Sequence, residues 1–159
     1  MKKPKRTLIF LRKFNIKNPT LDEQNAFMMT EIMDEVECKD LGTFFTNEVL
    51  YDKNLETFIP ETIKIVNPEW VIAVDDSATI ALKLKRQKKI LINPKVSFDD
   101  LNNVPEFARQ YTYGFFDQNH EEDYNKFQSV YPNSAWYLNL KDMSLFDIKY
   151  IAKGIIEEN

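Results

Sequence analysis

The chain has 159 residues, 43% hydrophobic and 13% aromatic, which is enough for one globular domain with a sizeable core and too apolar for a disordered chain. A net charge of −4 argues against general nucleic-acid affinity, and one Cys with one His excludes an internal disulfide and a Cys/His zinc site within the chain. No apolar run approaches the ~20 residues of a membrane span and no signal peptide is evident, so a soluble cytoplasmic protein is expected. Only three glycines are present, where an average usage of ~7% gives about eleven. Glycine-rich phosphate loops and G-x-G-x-x-G turns are therefore missing, and no cofactor is expected. The basic clusters Lys2, Lys3, Lys5, Arg6 and Lys83–Lys89 read as a solvated strand start and helix end rather than a phosphate-tracking groove.

In chain order, Thr7–Leu11 is a continuous apolar run that suits a strand buried on both faces. Leu21–Asp34 has helical spacing, with Thr20 and Glu23 placed for a capping box. Val36–Cys38 is a short strand, Gly42–Asp52 a long aromatic loop, and Leu55–Val66 a helix capped by Asn54 and weakened or started by Pro60. Trp70–Val74 is the central strand and Ser77–Leu84 its helix. Lys89–Ile92 is a strand closed by Asn93–Pro94, and Ser97–Phe107 a loop with room for a short helix. Tyr111–Phe116 is a strand, Glu121–Val130 a helix, Ala135–Leu140 a last strand, and Leu145–Glu158 a last helix capped by Ser144. The alternation predicts a single α/β domain over 1–159: a three-layer α/β/α sandwich around a mostly parallel sheet of about six strands.

In such sheets ligands bind beyond the carboxyl ends of the strands. The most informative corner there is Trp70–Val71–Ile72–Ala73–Val74–Asp75–Asp76–Ser77, a strand followed by a sharp turn with two carboxylates. The acidic pair resembles the opening of a response-regulator receiver domain, which would gather Asp75, Asp76 and Asp117 around Mg²⁺. A receiver begins with this strand, however, whereas about seventy residues precede it here, and too few follow Asp117 for the receiver's remaining strand ends.

A second resemblance covers nearly the whole chain. LIFL followed by Arg12–Lys13–Phe14–Asn15 and Asn18–Pro19 is similar to the first strand, His-Gly-Phe-Asn-type loop and Ser-Pro of the small single-domain bacterial esterases of the α/β-hydrolase superfamily. WVIAVDDSATIALKL resembles their strand, Gly-x-Ser-x-Gly elbow and helix. Leu91–Val96 resembles their next strand, Gly114–Asp117 their acid turn, and Lys141–Asp147 their Gly-Asp-His turn and closing helix. The resemblance implies a compact α/β-hydrolase-like fold with Asp75 at the nucleophile position, Asp117 at the acid position and Met143 where the family has histidine.

Each catalytic position departs from the family. Asp75 replaces serine, with Ala73 and Ser77 as the small residues of the elbow. Met143 accepts no proton at neutral pH. Arg12 and Lys13 stand where the oxyanion loop has histidine and glycine, and either is placed to pair with Asp75. Carboxylates on Asp75 and Asp76 oppose negative charge developing on a substrate oxygen. His120, the only histidine, follows Asp117 by three residues and is expected to be a solvated or capping residue, with a displaced base as the alternative. Asp117 without a histidine partner is expected to act as a carboxylate at a helix N-terminus.

The expected protein is therefore a catalytically degenerate hydrolase-like protein that binds a small molecule or a protein partner, with a homodimer left open. Its cleft is lined by Arg12, Lys13, Phe14, Asp76, Ser77, Asn93 and His120, and no metal is assigned. The alternative is an active esterase-type hydrolase with Asp75 as nucleophile and Asp117 or His120 assisting. Aromatics such as Phe44, Phe45, Tyr111, Tyr113 and Trp136 are candidates for an interface, core or cleft lining.

Overall fold

The apolar runs of the sequence form a parallel sheet, and in its central strands from Trp70 to Phe116 side chains alternate between two buried faces. The computed structural model describes residues 6–11, 36–40 and 69–158; for the first two segments it describes the backbone strands only. The strands are β1 (Arg6–Leu11), β2 (Val36–Asp40), β3 (Trp70–Val74), β4 (Lys88–Ile92), β5 (Thr112–Phe116) and β6 (Ala135–Tyr137). Their order is β2-β1-β3-β4-β5-β6 and every adjacent pair is parallel. The α/β class with a parallel sheet is thus as the alternation predicts. The expected helices Leu21–Asp34 and Leu55–Val66, and the expected loop Gly42–Asp52, lie outside the described residues.

From β3 onward the chain steps steadily toward β6, and the crossovers lie on one face. They carry α1 (Ala78–Leu82), α2 (Phe98–Asn102), α3 (Glu106–Arg109) and α4 (Glu121–Val130). Val71, Ala73, Leu91 and Phe116 point to this side and pack with Ile80, Leu101, Ala108, Phe127 and Tyr131. The opposite face presents Trp70, Ile72, Ile90, Ile92 and Phe115, covered by Ile148 and Ala152 of α5 (Leu145–Glu158). Two-sided burial is why WVIAV and KILI are unbroken apolar runs rather than alternating ones. Burying each of the larger side chains contributes about 1.5–3 kcal/mol.

Gly114 lets α4 approach β5, because a Cβ there would stand 2.7 Å from the Phe127 ring. The Phe127 ring in turn meets Phe116 and Tyr131 edge-on. α5 starts with the cap expected at Ser144: its hydroxyl accepts from the Asp147 amide, while the Asp147 carboxylate accepts from the Ser144 amide and hydroxyl.

Three local expectations are corrected. The stretch expected as a loop with room for one short helix, 97–107, holds one short helix and the start of a second that runs to Arg109, the first fixed by a Ser97–Asp100 capping box. The last strand stops at Tyr137 rather than Leu140, because the chain bends so that the Leu140 carbonyl accepts from Gln118 N–H. Lys89 does not belong to a solvated basic cluster. It is fully buried at the amino end of the sheet, its Nζ donates to the Gln87 carbonyl at 2.9 Å, and burial lowers its pKa to about 8. Among the described residues, no helix is long and apolar enough to cross a membrane.

Candidate site at the carboxyl edge of the sheet

β1 is followed by β2 on one side and β3 on the other, so the direction of winding reverses between β1 and β3. Open α/β sheets bind ligands at such a reversal, outside the carboxyl ends of the strands. Asp75 stands there, immediately after β3. Its φ is +59°, in the left-handed region that side chains rarely enter. The turn is held by its carbonyl, which accepts from the Ala78 and Lys95 amides. Residues Asp75–Ser77 form a single 3₁₀ turn leading into α1, and Ala73 and Ser77 are both fully buried. The small residues on either side of the aspartates thus lie inside the packing, as a tight corner requires. Asp76 is half-buried. The Asp75 side chain is also half-buried, and its carboxylate has no hydrogen-bond partner among the described residues.

The next strand end repeats the strained geometry. Asn93, after β4, has a φ of +46°. Its side chain clasps the end of β5 in both directions: Nδ2 donates to Asp117 Oδ2 at 3.0 Å, and Oδ1 accepts from the Asp117 amide at 3.0 Å. Asp117 is buried, with 2% exposure. Besides Asn93, its carboxylate accepts from the Asn119 amide at 3.0 Å and the Met143 amide at 2.9 Å, and lies 2.6 Å from His120 Nδ1. Burial pushes this carboxyl up. The hydrogen bonds from His120, Asn93 and the Met143 amide, with the charge of His120, outweigh that and hold it below its ordinary value.

Asp117 therefore has a histidine partner in His120, the residue the sequence offers as a displaced base. The expectation of a solvated or capping His120 side chain is corrected: it makes no cap hydrogen bond, and a 3₁₀ turn over Gln118–His120 folds the imidazole back onto the carboxylate, leaving the side chain 32% exposed. The expected helix-terminal role of Asp117 is met only in part, since it caps this turn through Asn119 but also binds two distant segments. A His three residues after an acidic strand end was the one available signal. Asn119 extends the contact outward, donating through Nδ2 to the Lys141 carbonyl and to the Asp142 carboxylate.

Met143 meets Asp117 through its backbone amide. Its side chain is half-buried and packs with the Ile92 and Phe115 face of the sheet. Asp75 and Asp117 follow strands two places apart, so their backbones are about 10 Å apart. Arg12, Lys13 and Phe14, assigned to the cleft and to pairing with Asp75, lie outside the described residues. Among the described residues, Asp75, Asp76 and Asp117 are not part of any group of three or more His, Cys, Asp or Glu that could hold a metal. Comparison with family models, curated proteins and solved structures finds no match for this chain.

Proposed function

We propose that this chain is a single-domain, cytoplasmic, three-layer protein of α/β-hydrolase-like design that has lost ordinary serine–histidine hydrolysis and uses the carboxyl edge of its sheet for binding. The observation that supports this reading best is the pair of replacements at that edge. The nucleophile position is a strained, half-buried aspartate at the winding reversal. The acid position receives a methionine amide from the segment where the family has histidine. Strain of this kind costs about 1–3 kcal/mol and persists at sites where function requires it. A small molecule is the favoured ligand, with a protein partner or a second copy of the chain as further candidates.

A panel of short acyl esters tests the reading. No turnover above buffer is expected, while small uncharged ligands shift amide signals around Asp75. Turnover abolished by Asp75→Asn would overturn it.

One observation favours a second reading, an active hydrolase in which Asp75 is the nucleophile. The 2.6 Å contact between Asp117 and His120 has the arrangement of a carboxylate orienting a base. In that case the Asp75 carboxylate attacks the acyl carbon of an ester and expels the alkoxide, which takes a proton from water, and a second water hydrolyses the resulting mixed anhydride to free acid and Asp75. The receiver-like reading gains no support from the arrangement of the three aspartates.

A further inference from the structure

We infer that Nε2 of His120 is the proton-accepting atom of the carboxyl edge and that it suits an uncharged hydroxyl compound. This rests on the reading that the edge binds small molecules. The argument starts from Asp117. Its carboxylate is buried and satisfied by three donors other than the imidazole, from Asn93, Asn119 and Met143. A carboxylate held in that way stays ionised and accepts only, so the neutral imidazole carries its proton on Nδ1 at the 2.6 Å contact.

The other ring nitrogen is then a bare lone pair. Nε2 makes no hydrogen bond among the described residues, and the side chain is partly open to solvent. An acceptor of this kind is matched by a donor. The surrounding groups select which donor. Asp117 holds the ring itself, and Asp142 is joined to the His120 turn through Asn119. The carboxylates of Asp117 and Asp142 favour an uncharged donor over an anion at Nε2. Phenol is a suitable uncharged probe, since an aromatic side chain, Tyr137, contacts the same turn. Tyr137 is 42% exposed, its ring lies 5.2 Å from that of Tyr124, and its hydroxyl reaches the Gln118 carbonyl within the turn that carries His120. No bond is made or broken in this recognition: the ligand O–H donates to Nε2, and the imidazole N–H continues to donate to Asp117.

His120 is the only histidine of the chain, so its two ring nitrogens give unambiguous signals in a long-range ¹H–¹⁵N spectrum of the full-length protein. At a pH where the imidazole is neutral, the Nδ1-protonated tautomer is expected. Titration with phenol is expected to shift Nε2 saturably while Nδ1 moves little. His120→Gln, a change at a partly exposed side chain, is expected to weaken phenol binding at least fivefold with an unchanged circular dichroism spectrum. Asp117→Asn is expected to release the tautomer preference.

An Nε2-protonated tautomer, or phenol binding unaffected by His120→Gln, overturns the inference. If phenol moves amides near Asp75 but not Nε2, the edge binds small molecules and the assignment to His120 fails. If phenol moves neither set of signals, the inference falls along with small-molecule binding at the edge.

Discussion

Two aspartates follow strands of the same sheet, two places apart, and their circumstances are opposite. Asp117 is buried with extended backbone, and its carboxylate is enclosed by four hydrogen-bond partners. Asp75 is half-buried on a strained backbone, and its carboxylate has no hydrogen-bond partner among the described residues. The first arrangement is what a carboxylate needs in order to hold structure together. In the second the carboxylate makes no hydrogen bond among the described residues and the backbone costs conformational energy, the pattern of strain found at binding sites.

The largest expected effect tests the architectural half of this contrast. Asp117→Ala leaves buried donors from three segments unpaired and is expected to cost about 3–5 kcal/mol in urea denaturation. A loss below 1 kcal/mol would show that the hub is not structural. Its pH dependence has a definite sign. Because the folded carboxyl lies below its ordinary value, the stabilisation is complete above the unfolded pKa of 3.8 and is lost as pH falls through the folded value. Asp117→Asn should lack this part of the acid transition.

Lys89 extends the comparison to a buried charge with poor company. It has one carbonyl acceptor where Asp117 has four partners. Its pKa falls from 10.5 to about 8, so the unfolded state binds more protons between those values and stability rises with pH across that window. A drop of that size corresponds to about 3 kcal/mol of destabilisation at neutral pH. Lys89→Met is expected to recover up to that amount at pH 7 and to lose the advantage by pH 10.5. Thermal denaturation at the two pH values checks this.

Gly114→Ala is expected to cost about 1–3 kcal/mol, since the Phe127 ring must move from its position between β5 and α4. The smallest effect belongs to Asp75. Asp75→Gly relieves the left-handed backbone without removing a hydrogen bond made among the described residues, and is expected to stabilise the fold by about 1 kcal/mol. A clear loss of stability instead would mean that the Asp75 side chain has a structural partner, and the contrast with Asp117 would narrow.

Much of the described fold was legible in the sequence because burial on both faces leaves no room for polar residues. Trp70–Val74 and Ile90–Ile92 announce themselves in that way, and Ser144 announces the start of α5 by its hydroxyl. The corner at Asp75 was legible from its place between a strand and a helix. The contacts of Asp117 were not, because they depend on where segments 24 and 26 residues away come to rest. The pairing with His120 is local, yet it requires a 3₁₀ turn where composition suggests only a polar loop. Lys89 misled for a different reason. Its neighbours Lys85 and Arg86 are exposed, and only strand alternation against Leu91 places its own stem inside.

The Met143 amide also has a consequence for the order in which the chain can become native. Asn119 and His120 supply donors to Asp117 from adjacent sequence, and Asn93 supplies another as soon as β4 and β5 pair. The fourth donor is made later in synthesis, beyond β6. A nascent chain that has not yet reached Met143 holds a carboxylate one donor short, so the edge of the sheet is completed only when the segment leading into α5 arrives to close it.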